Sequence, residues 1–516
     1  MKVERLIALV AANAFLCLPI FAATCESLAK LSLANTTITA ADSVTSGTFL
    51  ADGTNPIHDL PAFCRVAATL TPAPDSRIRI EVWMPAAGWN GKYEGTGNGG
   101  YAGGVGYGAL ADALRRGYAV ANTDMGTAHW SDDNENALVG HPDRWADWGW
   151  RSTHEMTVAA KQLIRAYYSR EPQHSYFVGC STGGEQAMME AQRFPDDYDG
   201  IVAGAPANNR TRLHMEILWN FVSGARRPAD RIPAGKLPFI TKAVFDACPG
   251  ARAVAADSFL SAPDDCHWDP EALLCKAGDG PDCLTAEQVI TARNLYGGPK
   301  NPVTQESIYP GLPRGSEFSW PAAMPENVPP PYDALFKWTF GAAWNWQTFD
   351  FNRDVKTVDD RLATMLNATN PDLSVFKAHG HKLISYHGWA DWLVPPDESI
   401  LYYRSVLETQ SAAAASHNRS TEEETQSFFR LFMVPGMAHC SGGSGLNSLE
   451  PLAPLELWVE KGTAPQKIDS WRAEGSATVM TRPLCPYPQA AHYSGTGDAK
   501  DAANFSCADP GPKSSH

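Results

Sequence analysis

The chain reads as an α/β protein whose mostly parallel sheet is interrupted by a long inserted segment. Three observations predict this. Short β-type runs alternate with helix-period runs from Ile78 to Gly204, the alternation stops at Ala205-Pro206, and it resumes at Lys382. Strands alternating with helices bury both faces of a sheet, and short right-handed crossovers make that sheet parallel.

The first alternating stretch predicts strands over 78–84, 92–95, 118–123, 176–178 and 200–204, with helices over 107–116, 154–168 and 184–193 between them. From 206 to about 371 the text is rich in Pro, Gly, Asp and Trp and carries four cysteines. It includes Met324-Pro325-Glu326-Asn327-Val328-Pro329-Pro330-Pro331, which no regular element tolerates. The pattern returns with a strand over 382–386, a helix near 398–408, a strand over 428–433 and a helix near 448–461. Residues 411–425 read as an exposed connection. The expected organisation is therefore a leader over 1–23, a sheet domain in two parts, 24–205 and 376–516, and a lid domain over 206–375 inserted between them.

Composition narrows the function classes. The chain has 516 residues, 44% hydrophobic and 19% charged, with 42 basic against 57 acidic side chains for a formal charge of −15. That surface repels a polyanion, which argues against nucleic acid as a partner. Lys2 and Arg5 precede an apolar run from Leu6 to Phe21, with small residues at Ala22 and Ala23, the pattern of a secretory signal peptide. About 16 apolar residues, interrupted by Asn13 and Pro19, are short for a membrane anchor. No other segment is long and apolar enough to span a membrane, so a secreted protein, periplasmic or extracellular, is expected.

Removal of the leader takes Cys17 and leaves ten cysteines. An even set in an exported chain reads as five disulfides. Zinc is the competing reading, but no C-x-x-C pair exists. Connectivity stays open on sequence, with neighbours suggesting Cys25 to Cys64, Cys248 to Cys266, Cys275 to Cys283 and Cys485 to Cys507. Cys180 and Cys440 are left over.

The sharpest chemical signal is Gly179-Cys180-Ser181-Thr182-Gly183, a G-x-S-x-G between a predicted strand and a predicted helix. A serine on such a turn stands exposed above the strand ends, and flanking glycines let helix and sheet approach. It needs a base and an acid that orients the base, met in the order Ser, Asp, His after later strands. Asp391 follows the strand at 382–386, and His439 follows the strand at 428–433. His387 and Asp397 are their rivals. His154-Glu155 does not open a zinc-protease helix, because Val158 stands where the second His is needed.

Cys180 precedes the predicted nucleophile and Cys440 follows the predicted base. A Ser-His hydrogen bond brings both within disulfide reach, so a bridge under the active site is expected. The oxyanion hole is expected from the backbone N–H of Thr182 and one from the glycine loop 95–104, with Gly99 or Gly100 favoured. A phosphate-binding reading of that loop lacks the Lys-Ser/Thr ending.

At Cys180-Ser181, Asp391 and His439-Cys440 the sequence resembles the tannase and feruloyl esterase family of α/β-hydrolases. The resemblance extends through Trp89-Asn90-Gly91-Lys92, Arg151-Ser152-Thr153-His154-Glu155, Gln192-Arg193-Phe194-Pro195 and Gly315-Ser316-Glu317. It implies the α/β-hydrolase fold, a pocket roofed by the lid, and a small aromatic or phenolic ester as substrate, gallate or ferulate for most members and mono(2-hydroxyethyl) terephthalate for a related branch. Relatives hold a structural calcium with several aspartates after the first lid cysteine. Here Cys248-Pro249-Gly250-Ala251-Arg252-Ala253-Val254-Ala255-Ala256-Asp257 retains only Asp257, so that site is expected to be weakened or lost, with the Cys248 to Cys266 bridge holding the loop. No cofactor is expected. Lid aromatics Trp338, Phe340, Trp344 and Trp346 are candidates to stack on an aromatic acyl group.

Overall fold

The computed structural model describes residues 24–45, 47–51, 55–127, 138–325 and 330–509, so the leader expected over 1–23 lies outside the described residues. Nine strands form one sheet: β1 (Thr36–Val44), β2 (Phe63–Leu70), β3 (Ile78–Pro85), β4 (Lys92–Thr96), β5 (Ala119–Thr123), β6 (His174–Cys180), β7 (Gly200–Gly204), β8 (Lys382–Gly388) and β9 (Phe429–Val434). Their order across the sheet is β1-β2-β3-β5-β4-β6-β7-β8-β9. The pairings from β1 to β5 are antiparallel, and those from β5 and β4 onward are parallel. This is the α/β-hydrolase arrangement. Strands β1 and β2 lie before the region where the alternation is legible, because β1 has a half-exposed, polar sequence that carries little period-2 signal.

Adjacent residues on each central strand feed opposite cores. Phe177, Ile201, Leu383 and Leu431 pack on one face, against Met156, Leu163, Met188 and Tyr403. Those partners come from α2 (Ser152–Tyr168), α3 (Thr182–Arg193) and α4 (Asp397–Thr409). Tyr176, Val202, Ile384 and Phe432 pack on the other face, against Leu110 and Leu114 of α1 (Tyr107–Arg115) and Leu455 and Trp458 of α5 (Leu452–Lys461). A period of two along each strand makes this possible, and burial on both faces explains why the strands read as nearly continuous apolar runs.

Among the described residues, 205–381 add no strand to this sheet. They hold the helices Arg210–Ala225, Leu237–Ala247, Ala286–Gly297 and Ala334–Phe340, joined by short 3₁₀ turns. Helix Ala286–Gly297 starts with a reciprocal capping box between Thr285 and Gln288. Disulfides Cys248–Cys266 and Cys275–Cys283 staple loops in this segment. A core of Leu237, Ile240, Val244, Leu260, Leu295 and Trp320 lies within it, and a second cluster joins its Leu218 and Trp338 to Tyr101 and Trp148 of the sheet side.

Two local readings differ from the sequence-based ones. Residues 411–425 contain two short helices, Ser411–His417 and Thr421–Gln426, the second begun by a Ser420/Glu423 capping box. An alanine run and that box favour helix over an irregular connection. The last large helix starts at Leu452 rather than near 448, because Pro451 disfavours helical backbone at Glu450, and Ser448–Leu449 instead pairs with the strand Ile468–Glu474. No helix of the described residues is long and apolar enough to cross a membrane.

Candidate active site

Ser181 sits between the end of β6 and the first turn of α3, with φ +66° and ψ −121°. That conformation is costly for a residue with a Cβ and persists where the surroundings over-determine it. The surroundings are close backbone contacts: a Cβ on Gly179 would lie 2.3 Å from the Gly183 carbonyl oxygen, and one on Gly184 would lie 2.3 Å from the Gly204 carbonyl oxygen. Ser181 N–H donates to the Gly204 carbonyl (3.0 Å), which fixes the turn to β7.

Asp391 follows β8 and His439 follows β9, and the two loops are locked together. Ala390 N–H donates to the Met437 carbonyl (2.9 Å), and Trp389 N–H to the Val434 carbonyl (2.9 Å). At Gly388 a Cβ would meet the Met437 oxygen at 2.4 Å, so only glycine lets the loops close.

These elements bring the three side chains into one line. His439 Nε2 lies 2.8 Å from Ser181 Oγ, and His439 Nδ1 lies 2.7 Å from Asp391 Oδ2. Asp391 is fully buried, and its Oδ1 accepts from the N–H groups of Leu393 (2.9 Å) and Val394 (3.0 Å). Burial alone would raise its pKa, but His439 and His387 beside it outweigh burial and hold the carboxyl well below the usual carboxylate range. A permanently ionised Asp391 is the partner an imidazolium needs.

The rivals fall elsewhere. His387 is buried and meets the same carboxylate oxygen as His439, with Nε2 3.2 Å from Asp391 Oδ2 and 2.8 Å from the Val394 carbonyl oxygen. A carbonyl only accepts, so a proton sits on Nε2, while Nδ1 is hydrogen-bonded to Ser399 Oγ (2.7 Å). His387 therefore donates to Asp391 and the Val394 carbonyl and does not reach Ser181 in this arrangement. Asp397 faces Asp264, and burial with that like charge pushes it up to about 7.

Cys180 and Cys440 are joined, with Cα atoms 6.0 Å apart, and the other bridges are Cys25–Cys64, Cys248–Cys266, Cys275–Cys283 and Cys485–Cys507. Cys440 itself has φ +60°. The bridge thus ties Cys440 to the chain neighbour of Ser181, and Ser181 and Cys440 both have positive φ.

A narrow cavity opens on Ser181 and Thr182 and is lined further by Gly100, Arg210, His214 and Tyr332, with Leu213, Ile217, Leu393 and Val394 as its apolar walls. Thr182 is the first residue of α3, so its N–H has no acceptor within the helix. Of the two glycines considered for a second donor, Gly100 lines this cavity and its carbonyl accepts from Thr182 Oγ1 (2.9 Å). Gly99 lies outside the lining, its carbonyl taken by Ala102 N–H (3.0 Å).

Arg210 is buried beside the serine. Its Nε donates to Glu185 Oε2 (2.7 Å), its Nη2 donates to Thr182 Oγ1 (2.9 Å), and its guanidinium lies over the Trp148 ring at 4.9 Å. Burial pushes Glu185 up to about 7 against the pull of Arg210. His214 donates from Nδ1 to the Arg210 carbonyl (2.8 Å) and accepts at Nε2 from Tyr101 Oη (3.0 Å). Burial, with Arg210 adding, lowers His214 to about 3, so the ring stays neutral. Spacing could have flagged this set: Arg210, Leu213, His214 and Ile217 recur at i, i+3, i+4 and i+7, one helical face.

The four aromatics expected to stack on the acyl group, Trp338, Phe340, Trp344 and Trp346, are not in the cavity wall. Trp338 is buried against Tyr101 and Trp148, Trp344 stacks on Phe336, Trp346 packs on Phe221 and Phe340 packs on Phe349. The aromatic that reaches the cavity is Tyr332. The calcium ligands also fail to assemble. Asp257 Oδ1 accepts from Arg482 Nη2 (3.0 Å) and Oδ2 from Val254 N–H (3.2 Å), so the one retained carboxylate is already neutralised by a buried guanidinium. A cation needing six or more oxygens does not fit this loop.

The family model described as "Tannase and feruloyl esterase" matches residues 64–330 and 338–508. An uncharacterised esterase of Xanthomonas campestris pv. campestris is 38% identical over 94% of this chain and 91% of its own. Feruloyl esterase C of Talaromyces stipitatus is 31% identical over 94% of this chain and 95% of its own. The solved structure of feruloyl esterase B from Aspergillus oryzae superposes with a TM-score of 0.84 at 29% identity, covering 94% of this chain and 99% of that one. With a match over most of its length and a serine, a histidine and an aspartate aligned above the sheet, the chain belongs to the tannase and feruloyl esterase family and is a carboxylic ester hydrolase.

Proposed function

We propose that this enzyme hydrolyses esters of phenolic or related aromatic acids through an acyl-enzyme on Ser181, with Asp391 and His439 completing the triad. The observation that carries the reading is the hydrogen-bonded line Ser181–His439–Asp391, at 2.8 and 2.7 Å. His439 Nε2 takes the Ser181 proton as Oγ attacks the ester carbonyl, and Asp391 balances the imidazolium. Backbone N–H groups of Thr182 and Gly100 receive the oxyanion. His439 returns the proton to the leaving alcohol, then activates the water that frees the acid.

The feruloyl esterase names of the relatives and the apolar cavity with Tyr332 support an aromatic acid. A terephthalate monoester is the alternative, and it carries a second carboxylate that wants a spare cation. The cation in the cavity wall, Arg210, is committed to Glu185, which favours uncharged phenolic acids. Residues 206–375 act as the lid that supplies Arg210, Leu213, His214, Ile217 and Tyr332. No calcium or other cofactor is required for the reaction. Five disulfides support an exported enzyme, periplasmic or extracellular.

Ser181→Ala is expected to abolish turnover of methyl ferulate and labelling by a serine-directed phosphonate. Retention of full activity in that variant would overturn the mechanism. A panel of methyl ferulate, methyl gallate, a terephthalate monoester and ethyl butyrate decides the acyl class.

A further inference from the structure

Next to the catalytic cavity lies a second narrow one, lined by Glu216, Asn220, Ala322, Ala323, Pro331 and Trp392. Ile217, Tyr332 and Leu393 line both, so the two adjoin. Helix Arg210–Ala225 runs past both, so six residues, roughly 9 Å of helix axis, lead from Arg210 beside Thr182 to Glu216. That is the length scale of an aryl acyl group extended from a carbonyl held at Ser181.

The polar groups of the second cavity are unusual. Glu216 and Asn220 are buried, at 0% and 2% exposure. Asn220 Nδ2 donates to Glu216 Oε1, yet Glu216 Oε2 and Asn220 Oδ1 have no hydrogen-bond partner among the described residues. Buried polar atoms are almost always satisfied, and a carboxyl without a cation beside it is expensive to keep. Burial raises the Glu216 pKa, the Asn220 hydrogen bond opposes this and the Asp391 charge adds to it, with a strong net rise. The rise favours the protonated carboxyl, in which Oε2 is a donor while Asn220 Oδ1 is an acceptor. One donor and one acceptor side by side match a hydroxyl group, which has one of each to offer.

We propose that Glu216 and Asn220 form a hydroxyl-recognition subsite at the far end of the ester pocket, which receives the phenolic hydroxyl of the aryl acyl group. This rests on the reading of the Ser181 cavity as the ester pocket and adds to it the residues that separate a phenolic acid from an unsubstituted aromatic one. A site built to bond a hydroxyl penalises the analogue lacking it, because its own buried groups are then left unpaired.

The test is the ratio of kcat/KM for methyl 4-hydroxycinnamate to that for methyl cinnamate, in wild type, Glu216→Leu, Asn220→Leu and Glu216→Gln, with ethyl butyrate as a third ester. Comparing ratios between variants cancels the intrinsic reactivity of the two aryl esters. The ratio is expected to fall about tenfold or more in Glu216→Leu and in Asn220→Leu, and to be kept by Glu216→Gln, which retains a donor and an acceptor. Thermal melting accompanies each variant, and Glu216→Leu is expected to melt no lower than wild type, since it removes an orphaned carboxyl. An unchanged ratio in the two leucine variants overturns the subsite alone. Turnover of ethyl butyrate with no turnover of either aryl ester overturns the aromatic substrate reading, and the subsite with it.

Discussion

Cys180 and Cys440 are bonded with their Cα atoms 6.0 Å apart, and each is the chain neighbour of a side chain in the Ser181–His439 hydrogen bond. The bridge closes a sequence separation of 260 residues and encloses the whole inserted segment. It anchors the turn after β6 to the loop after β9, whose positions the sheet alone fixes only through the intervening strands β7 and β8.

Replacing both bridge cysteines with alanine is expected to lower kcat more than to raise KM, because the Ser–His geometry loosens while the cavity walls persist. In the chain-entropy model such a loop contributes about 5 kcal/mol of stability, so a large drop in melting temperature should accompany it. Steady-state kinetics and calorimetry without reductant measure both. A variant with wild-type kcat would show that the bridge is structural only.

Asp391→Asn should cost about 10⁴-fold in kcat, since the amide can present an N–H where His439 Nδ1 needs an acceptor and removes the charge that balances the imidazolium. His387→Ala should lower kcat less, and without a matching rise in KM, because His387 acts through Asp391 and the Val394 carbonyl. A single-turnover assay separates these from slow product release.

Glu185→Leu leaves the buried Arg210 guanidinium without its carboxylate, and breaking a buried pair on one side costs about 3–5 kcal/mol. Arg210 also bonds Thr182, so activity should fall with stability. The double variant Glu185→Leu/Arg210→Met should regain much of the stability, read from denaturant midpoints, because no lone charge remains.

Stability should decline as pH rises from about 4.5 to about 7. Three buried carboxyls are held up to about 7: Glu94 by burial against the pull of Arg116, Glu185 by burial against Arg210, and Asp397 by burial and Asp264. Across that window the unfolded chain has released protons that the folded chain keeps, so deprotonation favours unfolding. At about 1.4 kcal/mol per pKa unit, each of the three contributes on the order of a few kcal/mol. Melting temperatures at pH 5 and pH 8 test it, and Asp397→Asn should flatten the dependence.

Gly179→Ala should destabilise strongly and cost activity, since its Cβ would lie 2.3 Å from the Gly183 carbonyl oxygen, a backbone atom that cannot move without shifting Ser181. Overpacking of this kind typically costs about 1–3 kcal/mol. Chemical denaturation together with phosphonate labelling of Ser181 checks both effects.

By itself the sequence determined the fold class, the elbow at Ser181, the order Ser–Asp–His and the even cysteine set, because each rests on local spacing that one stretch of chain carries. Asp391 and His439 were legible for the same reason, each standing in a loop just past a strand end. The tertiary structure decided what depends on contacts between distant segments. It put Gly100 and not Gly99 in the cavity lining, set His387 against Asp391, and placed Tyr332 rather than the four expected aromatics in the cavity wall. It also showed the helix face of Arg210, Leu213, His214 and Ile217, and the orphaned pair Glu216 and Asn220 beyond it. Spacing along a chain records which residues share a face, whereas the partner that face meets is set by packing between elements hundreds of residues apart, which no single stretch of sequence contains.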